Sequence, residues 1–200
     1  MKKRKILMSL MGVCLCATAI SFFKIAALGL DPFQSLMSSL NYLIPVSFGT
    51  LYVIVNLTLL IFSLCADRRN IGIATFCNLF LAGYITQFTY DGLKTLLSAP
   101  SLLVRVLSLV VGIIGLCFGM ALYMTADLGV SAYDAVAIIL SGTWKIGEFR
   151  YVRMSTDFVC VISGAATILL SGETWKQVFS SVGVGTIIAA FFMGPLIELF

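Results

Sequence analysis

The sequence predicts an all-α integral membrane protein of two homologous, inverted repeats, each with three transmembrane helices and one short half-helix. Three observations lead to this prediction. Of 200 residues, 60% are apolar and 11% are charged, whereas soluble domains carry roughly 25% charged residues. Several apolar runs are long enough to cross a bilayer. A short turn sequence also occurs twice, at Leu28–Ser35 and at Leu128–Ala135.

The repeated turn divides the chain. The first copy reads LGLDPFQS and the second reads LGVSAYDA, and a long apolar segment precedes each copy. Two related halves around one turn are the arrangement of many secondary transporters. We therefore predict one membrane domain with a first repeat over residues 1–90, a linker over residues 91–101 and a second repeat over residues 102–200.

The first repeat contains three runs that can cross, since about 20 helical residues cover a hydrocarbon core of ~30 Å. They are Ile6–Ala27, Phe48–Cys65 and Ile71–Tyr90. The first run follows the basic residues 2–5 and is too long for the apolar region of a signal peptide. We expect it to stay as a span, with the N-terminus in the cytoplasm.

The second repeat follows the same plan. Its predicted spans are Leu102–Thr125, Met154–Leu170 and Val182–Leu199, with a basic loop over Thr143–Arg153 and a polar segment over Ser171–Phe179.

Each turn is followed by a helix too short to cross. Phe33–Ile44 would measure about 18 Å at ~1.5 Å per residue, and Tyr133–Leu140 is shorter. We interpret both as half-helices buried against the bundle, where irregular backbone is tolerated. Three crossings per repeat invert the second repeat, whereas four would make the repeats parallel. The basic residues fit both models equally, so helix length favours the inverted one.

Glycines and capping residues explain the turns. Gly29 and Gly129 are predicted to reverse the chain with positive φ. Both copies have the spacing of a capping box, as Asp31 with Gln34 and as Ser131 with Asp134. The same residues could instead face a ligand, because a helix start presents free N–H groups to a polar or anionic group. The sequence leaves both roles open.

Two segments carry a family resemblance. TADLGVSAYDA, from Thr125, resembles the ADLGVxPWDA hallmark of the bacterial YczE/YyaS/YitT family of multi-spanning membrane proteins. GPLIE, from Gly194, resembles the GPLID segment of that family. The resemblance covers nearly the whole chain and implies a multi-pass fold and a transport-like role in the bacterial cytoplasmic membrane. Ala132 and Tyr133 stand where the family has Pro and Trp.

Polar residues within apolar segments form the candidate site, since they are costly in a membrane and mark solute or ion pathways. The binding candidates are Asp31, Gln34, Asn56, Asp127, Asp134 and Asp157, with Lys24 and Arg153 as supporting charges. Positions 127, 134 and 157 are acidic in the second repeat, where the first repeat has Ala27, Gln34 and Asn56. One repeat thus keeps an ionisable set and the other a polar one.

Three of these charges have a simpler interpretation as well. Arg153 and Asp157 lie four residues apart on one helical face, so they belong to the site or form an interfacial pair that tethers the loop. Lys24 lies near the outer end of its span, where it either extends to the membrane interface or faces the site.

Composition argues against several function classes. The chain has no histidine, which is the commonest general base and metal ligand. Its 6 cysteines stand singly in apolar runs, and we expect neither a metal site nor a cofactor. We predict no enzyme, because no protease or nucleotide-binding motif is present. We predict no nucleic-acid partner, because the basic residues flank the spans.

The predicted function is movement of a small polar or ionic solute across the cytoplasmic membrane. The predicted partners are the lipid bilayer and this solute. One alternative is the substrate-capture subunit of a multi-component vitamin importer. Another is a structural or regulatory membrane protein without a substrate. The spacing of Gly115 and Gly119 permits close helix packing and is compatible with a homo-oligomer.

Overall fold

The structure, a computed structural model, describes residues 2–46, 48–97, 100–171 and 182–200. Within these ranges the chain is helical and contains no strand. The helices are α1 (Lys2–Ala26), α2 (Pro32–Leu43), α3 (Phe48–Ala66), α4 (Ile73–Leu96), α5 (Leu102–Ala126), α6 (Ala132–Ile138), α7 (Phe149–Leu170) and α8 (Val184–Leu199). A 3₁₀ turn at Arg68–Asn70 precedes α4, and a π-helical turn at Ile139–Thr143 extends α6.

The described helices include three that are long and apolar enough to cross a membrane, as expected of a membrane protein. They are Lys3–Ala26 of α1, all of α5 and all of α7. Large apolar side chains also cover outer surfaces; on α4, Phe80 is 65% exposed and Phe88 is 81% exposed. A surface of this kind suits lipid better than water. The six crossings expected from the sequence stay a prediction.

The centre of the fold is the antiparallel pair α1 and α5. A β-carbon added to Gly12 would lie 2.7 Å from the carbonyl oxygen of Gly119, and one added to Gly119 would lie 2.8 Å from Cys16 Sγ. The two helices therefore approach each other at their backbones, as small residues permit. At the other end, Arg105 Nε donates to the carbonyl oxygen of Ala26 at 2.7 Å and so caps α1.

The predicted glycine spacing at Gly115 and Gly119 serves the contact between α1 and α5 of the same chain. A β-carbon on Gly115 would lie 3.5 Å from the β-carbon of Ala19, an ordinary contact, while Gly119 has no room for one. Both glycines of the pair therefore face α1.

The turns lie against the starts of distant helices. Gly29 has a φ of 120° and Gly129 a φ of 103°, which L-residues rarely adopt. The turn after α1 contacts the start of α8, where Gly185 N–H donates to the carbonyl oxygen of Leu28 at 2.8 Å. The turn after α5 contacts the start of α4 through a 3.0 Å bond from Ala74 N–H to the carbonyl oxygen of Leu128. Positive φ at both glycines confirms that part of the sequence prediction.

Two helices extend beyond the bounds that the sequence predicted. Helix α4 continues to Leu96, so the predicted linker over residues 91–101 begins inside a helix. Its Gly92 costs only about 1 kcal/mol in a helix and does not end it. Helix α7 begins at Phe149 after the N-cap Glu148, so Arg153 lies in a helix and not in the predicted loop. The predicted polar segment lies, after Ser171, outside the described residues.

Candidate functional site

Three charged side chains meet in the interior of the fold. Asp134 is 1% exposed, Arg153 is 1% exposed and Asp157 is 0% exposed. Helix α6 supplies Asp134, and α7 supplies Arg153 and Asp157 one turn apart. We call these three residues the charge cluster. Burial of charges at this depth is costly unless they are paired and hydrogen-bonded, so the contacts of each member matter.

Asp134 is fully bonded. Its Oδ1 accepts from Nη1 of Arg153, and its Oδ2 accepts from the hydroxyl groups of Tyr123 and Ser131, the latter at 2.6 Å. Ser131 is the N-cap of α6, since its Oγ also accepts from the N–H of Asp134 at 3.0 Å. The carboxylate of Asp134 is therefore held by three side chains from different parts of the chain, and it does not cap the helix backbone itself.

Asp157 is only half bonded. Its Oδ1 accepts from the hydroxyl of Tyr133 at 2.7 Å. Its Oδ2 lies 3.4 Å from Nε of Arg153, but this contact is an ion pair without hydrogen-bond geometry. Both atoms are buried, and neither has a hydrogen-bond partner. Such atoms are uncommon in native interiors and call for an explanation.

Aromatic rings enclose one side of the cluster. The guanidinium carbon of Arg153 lies 4.4 Å from the ring centroid of Tyr133. Phe33, from α2, stacks on that ring with centroids 4.7 Å apart and planes inclined by 17°. A cation over an aromatic face is stabilised by the ring quadrupole. Helices α2, α6 and α7 are thereby joined at the cluster.

A third carboxylate lies close enough to interact with the cluster. Asp31, in the turn before α2, is 8% exposed and accepts from the N–H of Gln34 at 3.3 Å. Burial raises the pKa of Asp31 to about 7, although the bond from Gln34 opposes the shift and the charge of Asp157 adds to it. Among the described residues, Arg153 is the one cation whose charge acts on the pKa of Asp31. The same guanidinium pairs with Asp134 and Asp157.

The structure brings some of the predicted site residues together and separates others. Asp134, Arg153 and Asp157 form the cluster and Asp31 lies near it. Asp31 is the N-cap of α2, and its carboxylate accepts from the backbone N–H of half-buried Gln34. Arg153 and Asp157 are buried inside the protein, and the choice between a site and an interfacial pair stays a prediction. Tyr123, Tyr133 and Phe33 were not among the predicted site residues, and Ser131 was predicted as the cap of its helix. The hydroxyl of Tyr123 inside an apolar span was the available signal.

Three predicted residues lie elsewhere. Asn56 is buried on α3, where its side-chain amide donates to the carbonyl oxygen of Tyr52 at 2.9 Å. Asp127 is exposed at the end of α5 and forms an ion pair with Lys5 at 3.7 Å. Lys24 lies 5.6 Å from the ring centroid of Tyr90 on α4. None of these three contacts involves the charge cluster.

A cavity of about 250 Å³ lies one helical turn from the cluster. Its lining includes Ile138, four residues after Asp134 on α6, and Phe149, four residues before Arg153 on α7. Residues four apart lie on the same face of a helix. The rest of the lining comes from the ends of α5 and α8 and includes Glu198.

Comparison with known proteins gives a family without an assigned activity. A model described as "Family of unknown function (DUF6198)" matches residues 3–200. "Uncharacterized protein YyaS" of Bacillus subtilis (strain 168) is 21% identical over 189 residues, which are 94% of this chain and 88% of that protein. No solved structure matches the chain. The similarity to YyaS agrees with that part of the predicted resemblance, whereas a grouping with YczE and YitT stays a prediction.

Proposed function

The chain belongs to the DUF6198 family, whose function is unknown, and we propose that it moves a small polar or ionic solute across the bacterial cytoplasmic membrane. The observation that carries this proposal is the charge cluster. Ionisable residues inside a membrane protein are expensive and line solute, ion or proton pathways. A purely structural ion pair would have its buried atoms satisfied, yet Nε of Arg153 and Oδ2 of Asp157 are not.

The internal symmetry of the contacts supports a carrier built from inverted repeats. Cys16 Sγ contacts the carbonyl oxygen of Leu116, its counterpart 100 residues later, at 3.7 Å. A contact between equivalent residues lies on a two-fold axis. The close approach of Gly12 to Gly119 has its mate in the approach of Gly112 to Ala19. Because α1 and α5 are antiparallel, this axis would lie in the membrane plane, as in carriers that alternate access.

The contacts between loops support the same topology. The hydroxyl of Thr143 donates to Oδ2 of Asp67 at 2.7 Å, and the rings of Phe62 and Trp144 lie 5.9 Å apart. This bond and one from the N–H of Arg69 hold the pKa of Asp67 below its usual range. The α3–α4 and α6–α7 connections are therefore adjacent. Inverted repeats put both on the cytoplasmic side, whereas parallel repeats with four crossings each put them on opposite sides.

Uptake by purified protein tests the proposal. Proteoliposomes would be offered radiolabelled pools of small amines, carboxylates, zwitterions and neutral polyols. We expect uptake from at least one pool, and we expect Asp157→Asn to abolish it. Asp91→Asn is the matched control, because Asp91 is exposed at the end of α4 and accepts from Gln87. Folded protein that takes up no pool would contradict the proposal; a co-purifying energising subunit would favour a capture subunit instead.

A further inference from the structure

The charge balance near the cluster indicates which class of solute the site takes. Asp134 and Asp157 both pair with the single guanidinium of Arg153, so two carboxylates share one cation. The buried Oδ2 of Asp157 is the acceptor left without a hydrogen bond. An anion would add charge of the sign already in excess, and two helix-start N–H groups that could attract it are already bonded, that of Asp134 to Ser131 and that of Gln34 to Asp31. The balance favours a cation.

The neighbouring cavity has the same sign of charge. Arg150, which follows the lining residue Phe149, pairs with Glu148 at 2.6 Å and with the lining residue Glu198 at 4.0 Å. Two carboxylates again face one guanidinium, and Glu198 lines the cavity. Its other walls are apolar, with Met124, Ile138 and Phe149 among them.

The volume of the cavity and the chemistry of its walls limit which cations could bind there. About 250 Å³ is below the ~300–1,000 Å³ of sites for drug-sized ligands. Among the described residues no group of three or more acidic, Cys or His side chains could hold a metal ion. Apolar and aromatic walls beside a carboxylate suit an ammonium group with a small apolar body, which combines an ion pair with contacts to rings.

On the premise of the proposed function, we propose that the solute is a small organic ammonium ion with an apolar body. It occupies the cavity whose lining includes Glu198. The lining residues Ile138 and Phe149 lie four residues from Asp134 on α6 and four residues from Arg153 on α7.

Binding to the full chain tests the solute class. Thermal unfolding of purified protein in lipid nanodiscs would be followed with phenethylammonium, with the anion 3-phenylpropionate and with neutral 2-phenylethanol. We expect the cation at saturating concentration to raise the melting temperature by about 5 °C and the other two to change it little. An equal rise with all three compounds, or a rise with the anion alone, would overturn the inference.

Variants locate the binding. Glu198→Gln should raise the half-maximal concentration of phenethylammonium about tenfold, whereas Asp91→Asn should leave it unchanged. Thr125→Lys, which adds a positive charge to the cavity lining, provides a second variant if Glu198→Gln does not accumulate. An unchanged half-maximal concentration in these lining variants would refute the cavity as the site.

The two proposals fail separately. Stabilisation by phenethylammonium that requires Glu198, without uptake of any pool, would contradict transport and keep the ligand class. Uptake confined to carboxylates or polyols would keep transport and overturn the ligand class.

Discussion

Nε of Arg153 lies 3.4 Å from Oδ2 of Asp157 on the same face of α7, and neither atom has a hydrogen-bond partner. The rest of the guanidinium is well held, since Nη1 donates to Asp134 and the group lies over the ring of Tyr133. The unsatisfied atoms are therefore at the Asp157 end of the cluster. A ligand or proton that binds at the Asp157 end of the cluster would not have to displace the bonds of Asp134.

Arg153 should be essential for stability. Arg153→Gln leaves the buried carboxylates of Asp134 and Asp157 without a cation, and removal of one partner of a buried pair costs about 3–5 kcal/mol. The melting temperature in nanodiscs should fall strongly. The triple variant Asp134→Asn, Arg153→Gln, Asp157→Asn has no buried charge in the cluster and should recover most of the loss. Arg153→Gln that melts like the wild type would show that the pair is solvated.

The two carboxylates of the cluster should differ in their roles. Asp134→Asn removes an acceptor held by Tyr123, Ser131 and Arg153, so we expect a loss of about 3 kcal/mol. Asp157→Asn keeps the bond to Tyr133 and should cost about 1 kcal/mol while it abolishes uptake. Thermal unfolding and proteoliposome uptake would be measured on the same preparations, with Asp91→Asn as control. Full uptake by Asp157→Asn would assign this carboxylate to the scaffold.

Gly129 and Gly29 should tolerate no side chain. A β-carbon on Gly129 would lie 2.3 Å from the backbone nitrogen of Gly72, and its φ is positive as well. Gly129→Val should sharply reduce the folded protein recovered from membranes, as measured by fluorescence-detected size exclusion. Gly83→Ala is the matched control, because nothing lies within 4 Å of a β-carbon there. Normal recovery of Gly129→Val would mean that the turn does not organise the fold.

Gly115 and Gly119 on α5 should differ in their response to substitution by alanine. Gly119→Ala forces α1 and α5 apart and should cost about 1–3 kcal/mol. Gly115→Ala meets an ordinary contact and gains helix propensity of up to ~1 kcal/mol, so it should be neutral or stabilising. Melting temperatures of both variants decide this prediction. Equal effects would indicate that the two helices are not as close as the structure has them.

Topology can be read from labelling. Single cysteines at positions 69 and 144, in a chain without other cysteines, should both react with an impermeant reagent only from the cytoplasm, because Asp67 and Thr143 are hydrogen-bonded. A cysteine at Ser101, between α4 and α5, should react from the outside. Labelling of position 69 from outside would overturn the inverted arrangement and favour parallel repeats.

Local patterns in the sequence were enough for the helices, the caps at Asp31 and Ser131, and the two glycine turns. Each depends on residues within about four positions, through periodicity, side-chain capping or the absence of a β-carbon. The same patterns made Asp127 and Asp134 equal candidates, because both flank one turn.

Tertiary packing decided which of Asp127 and Asp134 belongs to the charge cluster. Helix α6 turns Asp134 toward Tyr123 of α5 and Arg153 of α7, while Asp127 at the end of α5 faces outward to Lys5. Composition and spacing alone identified this as a chain of apolar helices with a few costly charges. Which charges meet depends on contacts between helices far apart in sequence, and no pattern of neighbouring residues encodes those contacts.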